Sequence, residues 1–304
     1  MIIAIDHGNK QIKLSGGRVF TSGLRESEIR PPFGDDIMIY KGKYYTISDK
    51  RIPFMKDKTV DDRFYVLTLF AIAFDIEDSG RYDSGVMSIH LVCGLPPAHF
   101  GAQYKRFQSY FMRGVEEFEL HGKRFRIQIN EVTTYPQAFA AAMPVYNSIK
   151  TYPRAMVVDI GGFTADYLAI KNGVADLSSC DTLEHGVIVL YNQVAAKVNS
   201  ELDILLDETD IDAILRGTNH DYNYDVKRVV EDTAQVFISD LFGKMRERGI
   251  DLRSGRTVFV GGGSILLRKQ IQASGKVKAP IFVDMISANA KGYELLIRAS
   301  KTGG

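Results

Sequence analysis

The chain has 304 residues, enough for two domains of ordinary size, and 45% of them are hydrophobic and 25% charged, as is usual for soluble globular proteins. The formal net charge is +1, so the composition shows no general preference for nucleic acid or for a membrane surface. No apolar run reaches about 18 residues, so no transmembrane helix is predicted.

The first half of the chain is predicted to open with a β-hairpin. MIIAIDHG lacks a basic leader and is typical of a buried strand rather than a signal peptide. DHGNKQ is the turn, and IKLSGGRVF returns with a break at its two glycines. The next predicted elements are a hairpin over 35–48, a buried helix over 61–74, a strand over 86–93, an amphipathic helix over 102–114 and a strand over 123–136. QAFAAAM is then predicted to be helical from Gln137 until Pro144.

The second half is predicted to start with a strand meander over 155–177, in which Lys171–Gly173 makes the second turn. Helices follow from about Gly186, over 207–217 and over 224–249. RTVFVGGGSILL is predicted to be a strand, a glycine turn and a helix start, and residues 280–299 a strand, a loop and a terminal helix. Each half thus carries a strand that ends in a glycine turn. Two related α/β halves of this kind suggest a ligand held between them.

The first glycine turn places Asp6 at the end of a buried strand, followed by Gly8, Asn9 and Lys10. An ordinary surface hairpin turn is the simpler interpretation, since Gly, Asn and Asp are common there. The alternative is an anion site, because the backbone N–H groups of such a turn can point at a phosphate. Lys13 would add a positive charge if it faced the ligand.

The second turn, in VVDIGGFTADY, repeats the pattern with Asp159, Gly161, Gly162, Phe163 and Thr164. Glycine allows a phosphate to approach the backbone closely, and the threonine offers a hydroxyl. An aspartate would repel phosphate, so this carboxylate and that of the first turn are predicted to hold Mg²⁺, through water. Two such turns about 150 residues apart support the phosphate interpretation. The sequence does not assign a ligand to Asp166, on the returning strand.

A third glycine turn, Gly261–Gly262–Gly263–Ser264, joins an apolar strand to a helix. It would permit backbone contact with a flat or charged ligand group, and the helix N-terminus would add partial positive charge. The simpler alternative is a strand–helix loop.

In this order and at these separations, IIAIDHGNKQIKL, VVDIGGFTAD and FVGGGS resemble the phosphate-one, phosphate-two and adenosine segments of the actin, sugar kinase and heat-shock ATPase superfamily. LVCGLPPAHF and SANAKGYELL extend the resemblance to the bacterial actin-like, ParM-type plasmid segregation ATPases. The resemblance implies an α/β, actin-like (ribonuclease H-like) fold with nucleotide in the interdomain cleft. The implied domains are residues 1–153, residues 154–285 and a C-terminal helix, 286–304, that returns to the first domain.

The resemblance also implies roles for individual residues. The catalytic set is Gln137, Asp6 and Asp159, with the glutamine orienting a water molecule and Glu131 as a weaker rival. ATP would contact the residues of the three turns, namely Gly8, Asn9, Lys10, Lys13, Gly161, Gly162, Phe163, Thr164, Gly261, Gly262, Gly263 and Ser264. Glu184 and Lys197 are candidates for ribose contacts. His7 would either make the site mildly pH-sensitive or point outward.

The implied function is Mg²⁺-dependent hydrolysis of ATP, with GTP as a possible second substrate, coupled to assembly of the chain into filaments that segregate plasmid DNA through a DNA-binding adaptor. The near-neutral charge favours an adaptor over direct binding of nucleic acid. A sugar-type kinase is the alternative, but such kinases usually have a longer chain and a catalytic aspartate as base, so the short length and Gln137 argue against it. A membrane-tethered protein is not expected, because LLIRASKTGG is a poor amphipathic anchor. Cys93 and Cys180 form no CxxC pair and are expected to be reduced, as in the cytoplasm.

Overall fold

The computed structural model describes residues 1–218 and 221–302. The strands are β1 (Ile2–His7), β2 (Gln11–Leu14), β3 (Val19–Thr21), β4 (Leu24–Ser27), β5 (Ile37–Tyr40), β6 (Lys43–Ile47), β7 (Val86–Leu95), β8 (Glu116–Leu120), β9 (Lys123–Pro136), β10 (Arg154–Ile160), β11 (Ala165–Lys171), β12 (Val174–Leu183), β13 (Arg256–Val260) and β14 (Pro280–Phe282). The α-helices are α1 (Arg63–Asp78), α2 (Pro97–Phe111), α3 (Val187–Leu202), α4 (Glu208–Arg216), α5 (Tyr224–Glu247), α6 (Gly262–Leu266), α7 (Arg268–Ala273) and α8 (Ala288–Thr302), and a 3-10 helix spans Ala140–Ser148.

The chain divides into two compact units, one of Met1–Pro144 with Ile286–Gly304 and the other of Val145–Met285. The first boundary in the structure follows Pro144, which is earlier in the chain than the predicted boundary after residue 153. The reason is that the Tyr146 hydroxyl donates to the carbonyl of Gly173, 2.7 Å away, which ties the intervening segment to the second unit.

The first unit contains a nine-stranded sheet in the order β3-β2-β1-β7-β9-β8-β5-β6-β4. Three neighbouring strands of this sheet, β1, β7 and β9, run parallel, so their carboxyl ends meet at one edge. Helix α1 is apolar on nearly all sides, and its residues 64–74 and Ile76 are buried in the core, as its sequence predicted. The sheet therefore brings the residues after β1 and β9 to the same edge.

The second unit contains a five-stranded sheet in the order β12-β11-β10-β13-β14. β10, β13 and β14 are parallel, and β10–β11–β12 form the predicted meander. Asn172 and Gly173 both adopt positive φ in the turn between β11 and β12, as a tight hairpin requires. Helices α3 and α5 pack their apolar faces together in the core of this unit. In this unit a glycine turn follows each of the neighbouring parallel strands β10 and β13.

One predicted element differs in type. The segment expected to be α-helical from Gln137 to Pro144 is instead a turn over 137–139 followed by the 3-10 helix, which includes Pro144. Ala138 has a φ of 61°, which is incompatible with an α-helix and ends any helical path at Gln137.

Both cysteines are free thiols, Cys93 buried and Cys180 partly exposed. Within 1–218 and 221–302 no helix is long and apolar enough to cross a membrane.

Candidate functional site: two glycine-turn half-sites

The first half-site is built around Asp6, the penultimate residue of β1, which is 2% exposed. Lys13, its direct partner on β2, donates to Asp6 Oδ2 over 3.1 Å. The Gln137 side-chain amide donates to Asp6 Oδ1 over 2.9 Å. Two neighbouring strands and a segment 131 residues from Asp6 thus bring a carboxylate, an ammonium group and an amide together at the carboxyl edge of the sheet.

The turn after Asp6 is fixed by its own backbone. A Cβ on Gly8 would lie 2.6 Å from the Gln11 carbonyl oxygen, so only glycine fits. Ser22 braces the turn, because its hydroxyl donates to the Gly8 carbonyl over 2.6 Å and its N–H to the Lys10 carbonyl over 3.1 Å. The Asn9 side-chain oxygen accepts from the Met55 N–H over 3.0 Å, so this asparagine holds the loop between β6 and α1 against the turn.

The position of His7 differs from both alternatives predicted from the sequence. Its ring points neither toward the expected phosphate site nor outward to solvent. It is buried in the core, where it stacks on Phe111 and its Nε2 lies 2.9 Å from the Thr68 hydroxyl. Burial lowers the pKa of His7 to about 3, so the ring is neutral at physiological pH. His7 therefore contributes packing beneath Asp6.

Gln137 and its rival Glu131 lie in different surroundings. Gln137 directly follows β9, and its N–H donates to the Leu95 carbonyl at the end of β7 over 2.8 Å. Glu131 lies within β9, with a side chain 63% exposed and 3.1 Å from Nδ1 of His90. The structure brings Gln137, but not Glu131, to Asp6.

The second half-site is built around the buried Asp159, near the end of β10. The Gly261 backbone passes so close that an added Cβ would lie 2.2 Å from Asp159 Oδ1, and its φ of 85° also favours glycine. This contact follows from the parallel pairing of β10 with β13, in which Asp159 is opposite Val260. The aspartate and the third glycine turn are thus direct neighbours.

The second glycine turn docks on the start of α3. The carbonyls of Gly161, Gly162 and Phe163 accept from the N–H groups of residues 187, 188 and 186, at 3.1, 2.9 and 3.0 Å. In a trans peptide the carbonyl and the N–H point in opposite directions, and the described chain has no cis peptide. The N–H groups of Gly162, Phe163 and Thr164 are therefore directed away from α3. Successive N–H groups aimed one way form a backbone nest that suits an anion.

Asp166 has a structural role in this turn. Its Oδ2 accepts from the Thr164 hydroxyl over 3.2 Å and its Oδ1 from the Thr182 hydroxyl over 2.5 Å. It also lies directly opposite Asp159 in the β10–β11 pair, so both buried carboxylates lie on one face of the sheet. Thr182, which joins β12 to this network, carried no signal in the sequence.

The remaining predicted contacts fall into two groups. Gly263 and Ser264 are buried in α6, and a Cβ on Gly263 would lie 2.5 Å from the Ile160 side chain. Glu184 and Lys197 are exposed. Lys197 lies ten residues into α3, about 15 Å along the helix from its start, and faces Glu201 at 4.0 Å. These two stay predictions as ribose contacts.

Mg²⁺ fits the donor chemistry of these half-sites. It prefers hard oxygen ligands and few carboxylates, and keeps several waters. Asp6 and Asp159 each present a buried carboxylate next to a backbone turn, and the close pair of Asp159 and Asp166 concentrates negative charge. In the part of the chain that the structure describes, no three His, Cys, Asp or Glu side chains are grouped to hold a metal. A Mg²⁺ ion here would therefore need further oxygens from a ligand and water.

Two family models match the sequence. Residues 4–139 match the N-terminal domain of actin-like proteins, and residues 157–273 match the C-terminal domain of the archaeal MreB-like actin homologues. The chain therefore belongs to the actin-like proteins. No protein of curated function matches it at a significant level.

Solved structures show the same fold over the whole chain. Ta0583, an archaeal actin homologue in complex with ADP, has a TM-score of 0.75 at 17% identity and covers 98% of this chain and 99% of its own. The pSK41 ParM protein gives 0.74 at 16% identity, covering 99% and 98%. A ParM from Clostridium botulinum, solved as a 15-stranded filament, gives 0.73 at 18% identity, covering 98% and 99%. The fold is thus the actin-like fold that the sequence resemblance implied.

Proposed function

We propose that this chain is a cytoplasmic, Mg²⁺-dependent ATPase that assembles into actin-like filaments. The observation that carries the proposal is the convergence of Lys13 and Gln137 on the buried carboxylate of Asp6. A phosphate-binding cation, a residue able to orient water and a metal-holding carboxylate are the groups that phosphoryl transfer to water requires. Membership of the actin-like family supports the same reaction.

The two half-sites would supply different groups for binding and hydrolysis. Asp6 and Asp159 would hold Mg²⁺ through water, and the ion would neutralise phosphate charge. The nest of Gly162, Phe163 and Thr164 offers N–H groups to phosphate oxygens. Lys13, 18% exposed, can exchange Asp6 for a phosphate oxygen. Gln137 positions the attacking water, and because an amide is a poor base, we expect slow hydrolysis.

Self-assembly is proposed from the relatives. Structures with this fold include the Clostridium botulinum ParM filament and an Alp12 filament. Head-to-tail stacking of identical subunits through unlike surfaces gives open filaments. We propose that ATP-bound subunits assemble in this way and that hydrolysis weakens the contacts.

The cellular role that we propose is segregation of plasmid DNA, because the sequence resembles the ParM-type segregation ATPases and ParM proteins share its fold. The net charge of +1 gives little general attraction to DNA, so a DNA-binding adaptor protein would make the connection.

Sedimentation with nucleotide tests the proposal. The purified chain is incubated with Mg²⁺ and ATP, ADP or a non-hydrolysable ATP analogue, with GTP in a parallel series, while phosphate release is recorded. We expect assembly with ATP and the analogue, phosphate release with ATP only, and no assembly when Mg²⁺ is chelated. Absence of both assembly and phosphate release at micromolar concentrations of protein would refute the proposal.

A further inference from the structure

A buried hydrogen bond links the C-terminal helix to the turn that carries Gln137. The Asn289 side-chain oxygen accepts from the Ala138 N–H over 3.1 Å, and both residues are buried. Asn289 is the second residue of α8, about 150 positions along the chain from Gln137. The contact lies within the first unit.

The turn that receives this hydrogen bond has an unusual backbone. Ala138 has a φ of 61° although it carries a Cβ, and the Phe139 N–H donates back to the Gln137 carbonyl over 2.6 Å. A three-residue turn with positive φ at its centre is rare and strained. Such a conformation persists only where its surroundings enforce it, and such positions are concentrated at functional sites. The strained residue here directly follows the residue that we place next to the attacking water.

Helix α8 is a firm support for this turn. A Cβ on Gly292 would lie 1.8 Å from the Ala140 carbonyl oxygen, so the helix backbone packs directly on the 3-10 helix. A Cβ on Gly94 would lie 2.2 Å from the Tyr293 hydroxyl oxygen, so the same helix is also fitted against β7. Helix α8, which carries Asn289, is thus packed against both the 3-10 helix and β7.

We propose that Asn289 is a positioning residue for hydrolysis, which holds Ala138 in its left-handed conformation and thereby sets the direction of the Gln137 side chain. This inference rests on the proposed ATPase function. The Gln137 N–H is bonded to Leu95, so the backbone is fixed on one side by β7 and on the other by Asn289. Without the second bond, Ala138 can relax to negative φ and turn Gln137 away from Asp6. A displacement of about 1 Å at a reacting group can cost about 100-fold in rate.

The test compares hydrolysis with nucleotide binding in the full chain. Asn289→Ala should lower kcat for ATP about 10- to 100-fold while the dissociation constant for Mg²⁺-ADP changes less than about threefold, because its target is the water-positioning group. Asn289→Asp keeps the accepting oxygen and should retain most of the activity. Adding Ala138→Gly to Asn289→Ala should restore much of kcat, since glycine adopts positive φ without strain.

The matched control is Ile297→Val, a small deletion in the buried face of the same helix, away from the turn. It should lower thermal stability but leave kcat unchanged. Should Asn289→Ala not fold, Asn289→Ser, whose shorter side chain ends too far from Ala138, is measured in its place. Three results would overturn the inference: a kcat of the Asn289 variant equal to that of the wild type, an equal loss of kcat in Ile297→Val, or no recovery of kcat on adding Ala138→Gly. A wild-type chain without ATPase activity would instead contradict the proposed function.

Discussion

Replacement of Gly261 by alanine tests how the third glycine turn supports Asp159. The added Cβ would lie 2.2 Å from Asp159 Oδ1 and 2.7 Å from the Ile160 carbonyl oxygen, and the residue has a φ of 85°. Either the carboxylate or the backbone after β10 must move. Gly261→Ala is therefore expected to lower both the stability of the fold and the affinity for Mg²⁺-nucleotide.

The magnitude has two parts. A residue with a Cβ costs about 1–2 kcal/mol in a left-handed conformation. Overpacking a buried position adds about 1–3 kcal/mol. We expect Gly261→Ala to lose about 2–5 kcal/mol of unfolding free energy, a large part of the ~5–15 kcal/mol of a typical protein.

Gly275 offers a matched control in the same unit, because its φ is 63° and an added Cβ meets nothing within 4 Å. Gly275→Ala should show only the conformational cost, about 1–2 kcal/mol. Urea unfolding gives both free energies, and titration with Mg²⁺-ADP gives the affinities. Gly261→Ala should also bind more than about tenfold more weakly, equivalent to ~1.4 kcal/mol, whereas Gly275→Ala should bind normally. Equal destabilisation by the two variants, with unchanged affinity in both, would refute the steric argument.

Two further predictions concern the active groups and pH. Asp159→Ala should abolish measurable Mg²⁺-nucleotide binding, whereas Gln137→Ala should keep binding and slow phosphate release about 10- to 100-fold; unchanged ATPase activity in both would remove the site assignment. Burial alone lowers the pKa of His121, but hydrogen bonds to Glu77 and Asp36 outweigh it and raise the pKa. A raised pKa means that protonated His121 stabilises the folded chain. The stabilisation is complete below the unfolded pKa of ~6.5 and is lost as pH rises through the folded pKa. Wild type should therefore lose stability relative to His121→Asn between pH 6 and pH 9, by no more than the ~1 kcal/mol of exposed ion pairs. The same pH dependence of the unfolding free energy in both proteins would contradict this.

Much of the fold was predictable because its signals are local. The apolar run of β1, the alternation in β5 and β6, and the glycine stops after β13 each lie within a few residues of the element they define. The failure at Gln137–Pro144 has a tertiary cause. The alanines there favour a helix, but the hydrogen bonds of Ala138 to Asn289 and of Gln137 to Leu95 impose a turn first.

The candidate site was predictable to a different degree in each part. The aspartates and glycines stand at strand ends, where the pattern alone points to them. The partners of Asn9 and His7 were not predictable, because they come from remote segments. Asn9 bonds Met55, and His7 is buried among aromatic residues of α2. A histidine next to a turn gives no local signal of which way its ring points.

The two half-sites hold their buried carboxylates, Asp6 and Asp159, by different contacts. Asp6 is held by side chains, since Lys13 and Gln137 bond its two oxygens. Asp159 lies against the Gly261 backbone, which leaves no space for a Cβ. Because side chains can exchange partners and a packed backbone cannot, substitutions around Asp6 should change rates with little loss of stability. Substitutions around Asp159 should change stability and binding together, so the two measurements distinguish the supports.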